Sequence, residues 1–302
     1  MTNRVRPAGR RGGPLAGESK WAVLFLAPTL VGLAVLSAGP ILATFVIGLT
    51  KWDLLTPPAF VGVDNFTKLA GDDRFLRALQ NTFFFTATSV PIGIVIALGL
   101  ALALNQRIRG IAWIRTAYFL PVVTSTIAVA LVWQWIYSPN EGLLNQVIGL
   151  AGIAPQKWLV DPVLALPAIV AMSIWQGLGV NVIIFLAGLQ AIPEELLDAA
   201  SVDGAGRWGR FRSVVLPLLT PSMFFTGVLA LISSFQVFDQ IFVLQRPRPT
   251  EATITVVYFI YESGFKFFRM GYASAASWVL FLIVAVFSAI YFRLQRRWVH
   301  YQ

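Results

Sequence analysis

The sequence predicts an all-α membrane protein built on six transmembrane helices, and three observations lead there. Of 302 residues, 57% are hydrophobic and only 12% charged, with a mean hydropathy of +0.72. Soluble domains carry about 25% charged residues, so a chain with half that share cannot cover its surface with polar groups in water. Second, six apolar runs each reach the ~20 residues a helix needs to cross the hydrocarbon, whereas barrel strands would be about half as long and alternate in polarity. Third, the cations are unevenly divided between the two sets of connecting segments, as membrane topology requires. The absence of cysteine excludes disulfides, thiolate metal sites and cysteine nucleophiles. The single histidine, His300, excludes His-pair zinc motifs and a histidine-based triad.

The elements follow in chain order. Residues 1–20 form a basic tail with Arg4, Arg6, Arg10, Arg11 and Lys20 against one acid, Glu18. A secretory signal would have a shorter apolar core and a small-residue cleavage site, so the run that continues to Lys51 reads as a retained first helix. The domain of residues 21–302 then holds spans at Trp21–Thr50, Phe83–Leu104, Thr116–Tyr137, Val163–Gln190, Met223–Leu244 and Gly271–Phe292. The first and fourth exceed the needed length and contain Pro40 and Pro167, so tilt, a kink or an extension beyond the membrane is expected there. Trp21, Trp52, Trp133, Trp135 and Trp298 fall near span ends and read as interfacial belt residues.

Orientation follows from the charges. The tail, the 105–115 loop, the 191–222 loop and the C-terminus carry 14 Lys and Arg against five acids. The 51–82, 138–162 and 245–270 loops carry nine against eight. The first set is therefore expected on the cytoplasmic side with both termini, in the inner membrane. The net charge of +9 needs no nucleic acid to explain it.

The 191–222 loop is too polar for lipid and too patterned for a random coil. Pro193, Glu194 and Glu195 suit a helix start, because proline fits the first turn and acids fit the positive dipole end. Leu196, Leu197 and Ala200 then share a face, and Asp203–Gly204 ends the helix with a residue that tolerates positive φ. A second amphipathic piece runs from Arg207 to Leu216 and ends at Pro217. The product is a helix–turn–helix along the membrane surface, either anchored on lipid or presented to a partner. The small residues Ala199, Ala200, Gly204, Ala205 and Gly206 favour the partner, since they let another backbone approach closely.

The pattern Asp198-Ala199-Ala200-x-x-Asp203-Gly204-Ala205, followed by Val214-x-Leu216-Pro217, resembles the EAA loop of bacterial ABC-importer permeases. Asp198 stands where that family usually has Glu. Further matches are Phe60-Val61-Gly62-Val63-Asp64-Asn65-Phe66, Asn81-Thr82, Phe119-Leu120-Pro121, Trp133-x-Trp135 and Phe238-Asp239-x-Ile241. They point to the carbohydrate-importer subgroup related to the maltose permeases, over nearly the whole chain. The resemblance implies the type I importer permease fold, a second homologous permease subunit, two ATPase subunits and an extracellular or periplasmic sugar-binding protein. It implies that Asp198, Ala199, Ala200, Asp203, Gly204, Ala205 and Pro217 belong to the segment coupled to the ATPase. The chain has no Gly-Lys dipeptide and hence no phosphate-cradling G-x-x-x-x-G-K-[ST] loop. No cofactor is expected in it, ATP being bound by the partner.

A permease path should be lined by the few polar groups that tolerate mid-membrane depth. The third span offers Thr126, the fourth Trp175, Gln176, Gly177 and Asn181, and the fifth Ser234, Gln236 and Asp239. Amides and hydroxyls match the OH pattern of a sugar, and an aromatic face suits its C–H side. By the resemblance, Trp175-Gln176-Gly177 and the 234–236 stretch fall on segments that contact sugar. Thr124, Ser125 and Ser173 read as helix-packing hydroxyls instead. Asp239 is the one ionisable residue placed within a span, and it carries the rival reading, an ion- or proton-coupled secondary transporter. Arg246 and Arg248 near the outer mouth would suit a phosphate-bearing substrate, although exposed loop arginines are more often simply solvated.

Overall fold

The computed structural model describes residues 16–106, 110–247 and 249–299. Arg4, Arg6, Arg10, Arg11, Arg107, Arg109, Arg248 and His300 lie outside the described residues. The first span is α1 (Ala16–Leu33), a π turn at Ala34–Ala38, and α2 (Gly39–Gly48). The π turn immediately precedes Pro40, whose missing N–H falls in the first turn of α2, so the long first run accommodates its proline by local widening. Two-residue strands β1 (Thr50–Lys51) and β2 (Ala59–Phe60) then pair antiparallel, Thr50 opposite Phe60. They lead into α3 (Asp64–Ala70) and the 32-residue α4 (Asp73–Leu104).

α4 begins ten residues before the apolar run predicted from Phe83, because Asp72 caps it, accepting from the N–H groups of Arg74 and Phe75 at 2.9 and 3.1 Å. The extra turns carry Asn81, whose Nδ2 donates to the carbonyls of Glu251 and Ile254, and Thr82, whose Oγ1 accepts from Val256 N–H. This pair latches the 249–256 segment onto α4.

The third span departs from the predicted straight helix. α5 (Ile111–Val123) and α6 (Thr126–Ile136) meet at a 111° bend. Thr124 and Ser125 have extended backbone there, and Val-Val-Thr-Ser-Thr holds weak helix formers only. α7 (Leu143–Gly149) follows, its loop stapled by Asn145, whose Nδ2 donates to Pro139 and Gln156 carbonyls while its Oδ1 accepts from Trp158 Nε1. α8 (Ala165–Gln190) is an unbroken span; Pro167 sits in its first turn, where no intrahelical N–H is lost.

α9 (Glu194–Val202), α10 (Arg207–Arg210), a π turn at Phe211–Val215 and α11 (Leu216–Leu218) form the surface helix–turn–helix. Pro217 lies inside this piece instead of ending it; the chain bends by 61° between Leu218 and Thr220, into α12 (Thr220–Phe235). The predicted fifth span therefore stops at Phe235, and α13 (Asp239–Leu244) is a separate short helix after a break at Gln236–Phe238. α14 (Val256–Tyr261), a π turn at Glu262–Lys266 and α15 (Met270–Trp298) complete the chain. Among the described residues four helices are long and apolar enough to cross a membrane, and the count reaches six where each of the two bent pairs is taken as one span.

α4 and α8 run side by side in the same direction and form the centre of the bundle. Two buried clusters flank them. One, around Phe85, Ile169, Met172, Phe235, Ile241 and Tyr258, ties α4, α8, α12, α13 and α14 together. The other, around Ala97, Ala101, Val182, Phe185 and Leu219, closes the end nearer α9. α1, the π turn and α2 expose leucine, valine and phenylalanine almost throughout, Phe25 at 76% and Leu36 at 77%, a surface that matches hydrocarbon and not water.

Candidate functional site

A cavity of about 590 Å³ opens between α4, α6, α8, α12 and the 236–238 break. Helical geometry decides which side chains of α8 reach it. Ser173, Gly177 and Asn181 recur every four residues and line the wall. Trp175 lies two residues, or about 200°, round the helix from Ser173 and points elsewhere. It borders a separate apolar groove with Ile92, Pro167 and Leu178, and meets Trp133 edge-on at 5.5 Å between ring centroids. The dipeptide Trp175–Gln176 is thus divided between two faces.

Gln176 Nε2 donates to Thr126 Oγ1 at 3.1 Å, joining α8 to the first residue of α6 just past the bend. Thr126 lines the cavity, so the bend brings a hydroxyl to the wall that a straight third span would carry past it. Thr124 and Ser173 bond back to the carbonyls of Leu120 and Ile169, as helix-packing hydroxyls do.

The break after α12 supplies the opposite wall. Ser234 donates to Leu231 O at 2.9 Å, and beyond Phe235 the backbone leaves the helix, so Gln236, Asp239 and Gln240 line the cavity together with Ser233 and Ser234. Asp239 opens α13, where its charge favours the helix N-terminus. It is exposed, and among the described residues it is the one carboxylate lining this cavity, contrary to its expected place within a span. Arg246 lies over the Phe242 ring at 5.4 Å, one residue beyond Gln245, whose Nε2 donates to Leu159 O.

Two polar lining residues escaped the reading of the sequence. Ser89 on α4 places on the wall an Oγ that is buried and has no hydrogen-bond partner. Gln240 follows Asp239. The available signal for Ser89 was its four-residue spacing from Gly93, a polar-and-small stripe inside an apolar run.

At the far end of the bundle, α9 presents Asp198 and Ala199 to solvent, with Ala200 half-buried. Asp203 caps the helix and Gly204 adopts φ +81°. Gly204 N–H bonds Ser201 O at 3.1 Å and Ala205 N–H bonds Ala200 O at 2.9 Å, the Schellman arrangement that satisfies the last carbonyls. Arg210 Nη1 donates to Ser201 Oγ at 3.1 Å and holds α10 against α9. Leu197 packs on the cluster beneath, while Val202 and Trp208 stand 88% and 70% exposed.

Spans around a polar cavity, with a rigid polar turn projecting from one end, define a membrane permease. The comparisons agree. The trehalose/maltose transport system permease protein MalF of Thermococcus litoralis is 32% identical over 92% of this chain and 95% of its own length. The lactose transport system permease protein LacF of Rhizobium radiobacter is 35% identical over 90% of this chain and 93% of its own. The crystal structure of a bacterial ABC transporter involved in import of the acidic polysaccharide alginate superposes with a TM-score of 0.81 at 25% identity, covering 93% of this chain and 96% of that one. The chain belongs to the binding-protein-dependent transport system inner membrane component family, whose profile matches residues 73–300.

Proposed function

We propose that the chain moves a carbohydrate or sugar derivative inward through the cavity between α4, α8 and α12, by alternating access and with no covalent chemistry of its own. The observation that carries this reading is the lining itself. Asn181, Gln236 and Gln240 supply amides, and Ser89, Thr126, Ser233 and Ser234 supply hydroxyls, in a volume of about 590 Å³. That inventory suits a neutral polyhydroxylated solute better than an ion. The similarity to the trehalose/maltose and lactose permeases supports the same class.

The working assembly in this reading pairs the chain with a second homologous permease and two ATPases, with ATP held by the partners. A sugar-binding protein delivers substrate at the end opposite α9, and both termini face the cytoplasm. The α9–α10 turn receives the ATPase stroke, its small residues allowing close approach. An ion-coupled mechanism through Asp239 is disfavoured, because a proton relay needs a second titratable group and none lines the cavity among the described residues. Reconstitution of the permease pair with its ATPases and binding protein tests the reading. Sugar uptake should require ATP and persist when an ionophore collapses the proton gradient. Uptake driven by that gradient without ATP would overturn it.

A further inference from the structure

At the end opposite α9, a second cavity of about 730 Å³ lies apart from the path described above. Its walls come from the segment after β1, from α3 and from the start of α15. Three acids and three bases line it, yet they are not equivalent. Asp64 is paired with Lys68 at 2.6 Å. Asp72 caps α4 through Oδ1 and accepts from the Tyr272 hydroxyl through Oδ2 at 2.6 Å. Asp53 accepts from Leu55 N–H, Thr56 N–H and Thr56 Oγ1, and the Thr56 bonds hold its carboxyl below the usual range. Lys51 and Arg269 are left with no acidic partner among the described residues.

The main chain fixes these two cations on one wall. Met270 N–H donates to Trp52 O at 2.9 Å. Gly271 packs so tightly on the Thr50 carbonyl that a Cβ would overlap it. Asn65 Nδ2 donates to the carbonyls of both Gly48 and Thr50. Leu54 and Phe268 are the two non-glycine residues with positive φ among the described residues, at 68° and 54°. Phe268 lines this cavity, and Leu54 lies in the turn between Asp53 and Thr56, which also line it. Backbone strain held at a pocket wall is a feature of ligand clamps.

The placement indicates the ligand. Lys51 follows the first span within three residues and Arg269 immediately precedes the last, so both cations sit at headgroup depth. Exposed Phe265, Phe267 and Phe268 lead up to Arg269, and Trp52 adjoins Lys51, the aromatic setting of a membrane interface. We propose that this cavity binds the phosphate of a membrane phospholipid headgroup, with Arg269 as the forked donor and Lys51 as the point charge. The site requires only that the chain spans a membrane and does not rest on the sugar-importer reading.

The test uses the full-length permease in mild detergent, titrated with phosphatidylglycerol or phosphatidylethanolamine and read by native mass spectrometry. The wild type should retain a phospholipid that inorganic phosphate at equal concentration does not displace. Lys51→Ala/Arg269→Ala should bind it at least ~10-fold more weakly, since charge-assisted contacts carry that much affinity. Lys51→Arg/Arg269→Lys should retain it, as should Lys157→Ala, a cation on a different loop. Equal melting temperatures without added lipid establish that the alanine variant is folded. Undiminished retention in that variant overturns the proposal. So does displacement by inorganic phosphate, which would make it a free-anion site, or a loss confined to affinity for a soluble binding protein.

Discussion

Glu262, its side chain only 4% exposed, lies 2.7 Å from the Arg74 guanidinium across 188 residues of sequence. The pair joins the first turn of α4 to the π turn before α15, and Arg74 also reaches the more exposed Glu251. Two distant elements at the end opposite α9 are therefore held by one cation.

Removing that cation takes from a buried carboxylate the guanidinium that lies 2.7 Å away. Arg74→Ala is expected to destabilise the protein by about 3–5 kcal/mol, whereas Arg74→Met/Glu262→Gln should recover most of the loss because it leaves no buried charge, only the exposed Glu251 losing its partner. Denaturation midpoints in detergent measure both. An Arg74→Ala protein as stable as the wild type would show that water reaches Glu262.

The division of Trp175 from Gln176 gives a second expectation. Gln176→Ala removes the donor that holds Thr126 and leaves a hydroxyl on the cavity wall without its partner. Such a loss is worth about 1–3 kcal/mol, so uptake should show a raised half-saturation concentration for the transported sugar. Trp175→Ala acts in the outer groove and against Trp133, so its effect should fall on stability. Transport assays beside melting curves separate the two. A Trp175→Ala protein of normal stability with weakened substrate affinity would put the indole in the path.

Much of this was legible in the sequence, and the physical reasons are specific. Apolar length located the spans, and Pro193 with Asp203–Gly204 located α9, because each is a local property of the chain. The bends at Thr124–Ser125 and Gln236–Phe238 were not legible. Both stretches lie inside apolar runs long enough to pass for one helix, and the weak helix formers around Thr124 and Ser125 do not by themselves fix a bend. Asp239 was misplaced by the second bend. Trp175 was placed in the path by its residue type and by the family resemblance of its segment, neither of which takes account of its angle on α8. The Arg74–Glu262 pair is invisible to any local reading.

The cation asymmetry predicts both termini and the 191–222 turn in the cytoplasm. Single cysteines introduced at Ser213 and Glu141, in a chain that has none, report it directly. Impermeant maleimide on intact cells should label Glu141→Cys and spare Ser213→Cys. The reverse pattern would invert the topology.

The α9–α10 turn gives the last expectation. Gly204 at φ +81° closes the Schellman bonds, and no atom lies within 4 Å of where a Cβ would stand, so within this chain a side chain meets no clash. Gly204→Val should therefore cost about 1–3 kcal/mol of backbone strain and open the turn, seen as faster amide exchange at Gly204 and Ala205. Gly204→Asn, which tolerates the left-handed region, should keep that protection. It differs from glycine mainly by occupying the space that a docked ATPase would use. If the turn is the docking knob, both variants lose substrate-stimulated ATP hydrolysis in reconstituted vesicles, the asparagine variant with its turn intact. Asp198→Ala should act more mildly by removing one exposed charge. Full coupling in the asparagine and alanine variants together would leave the turn as a lipid-surface element, and the ATPase contact would have to be sought elsewhere.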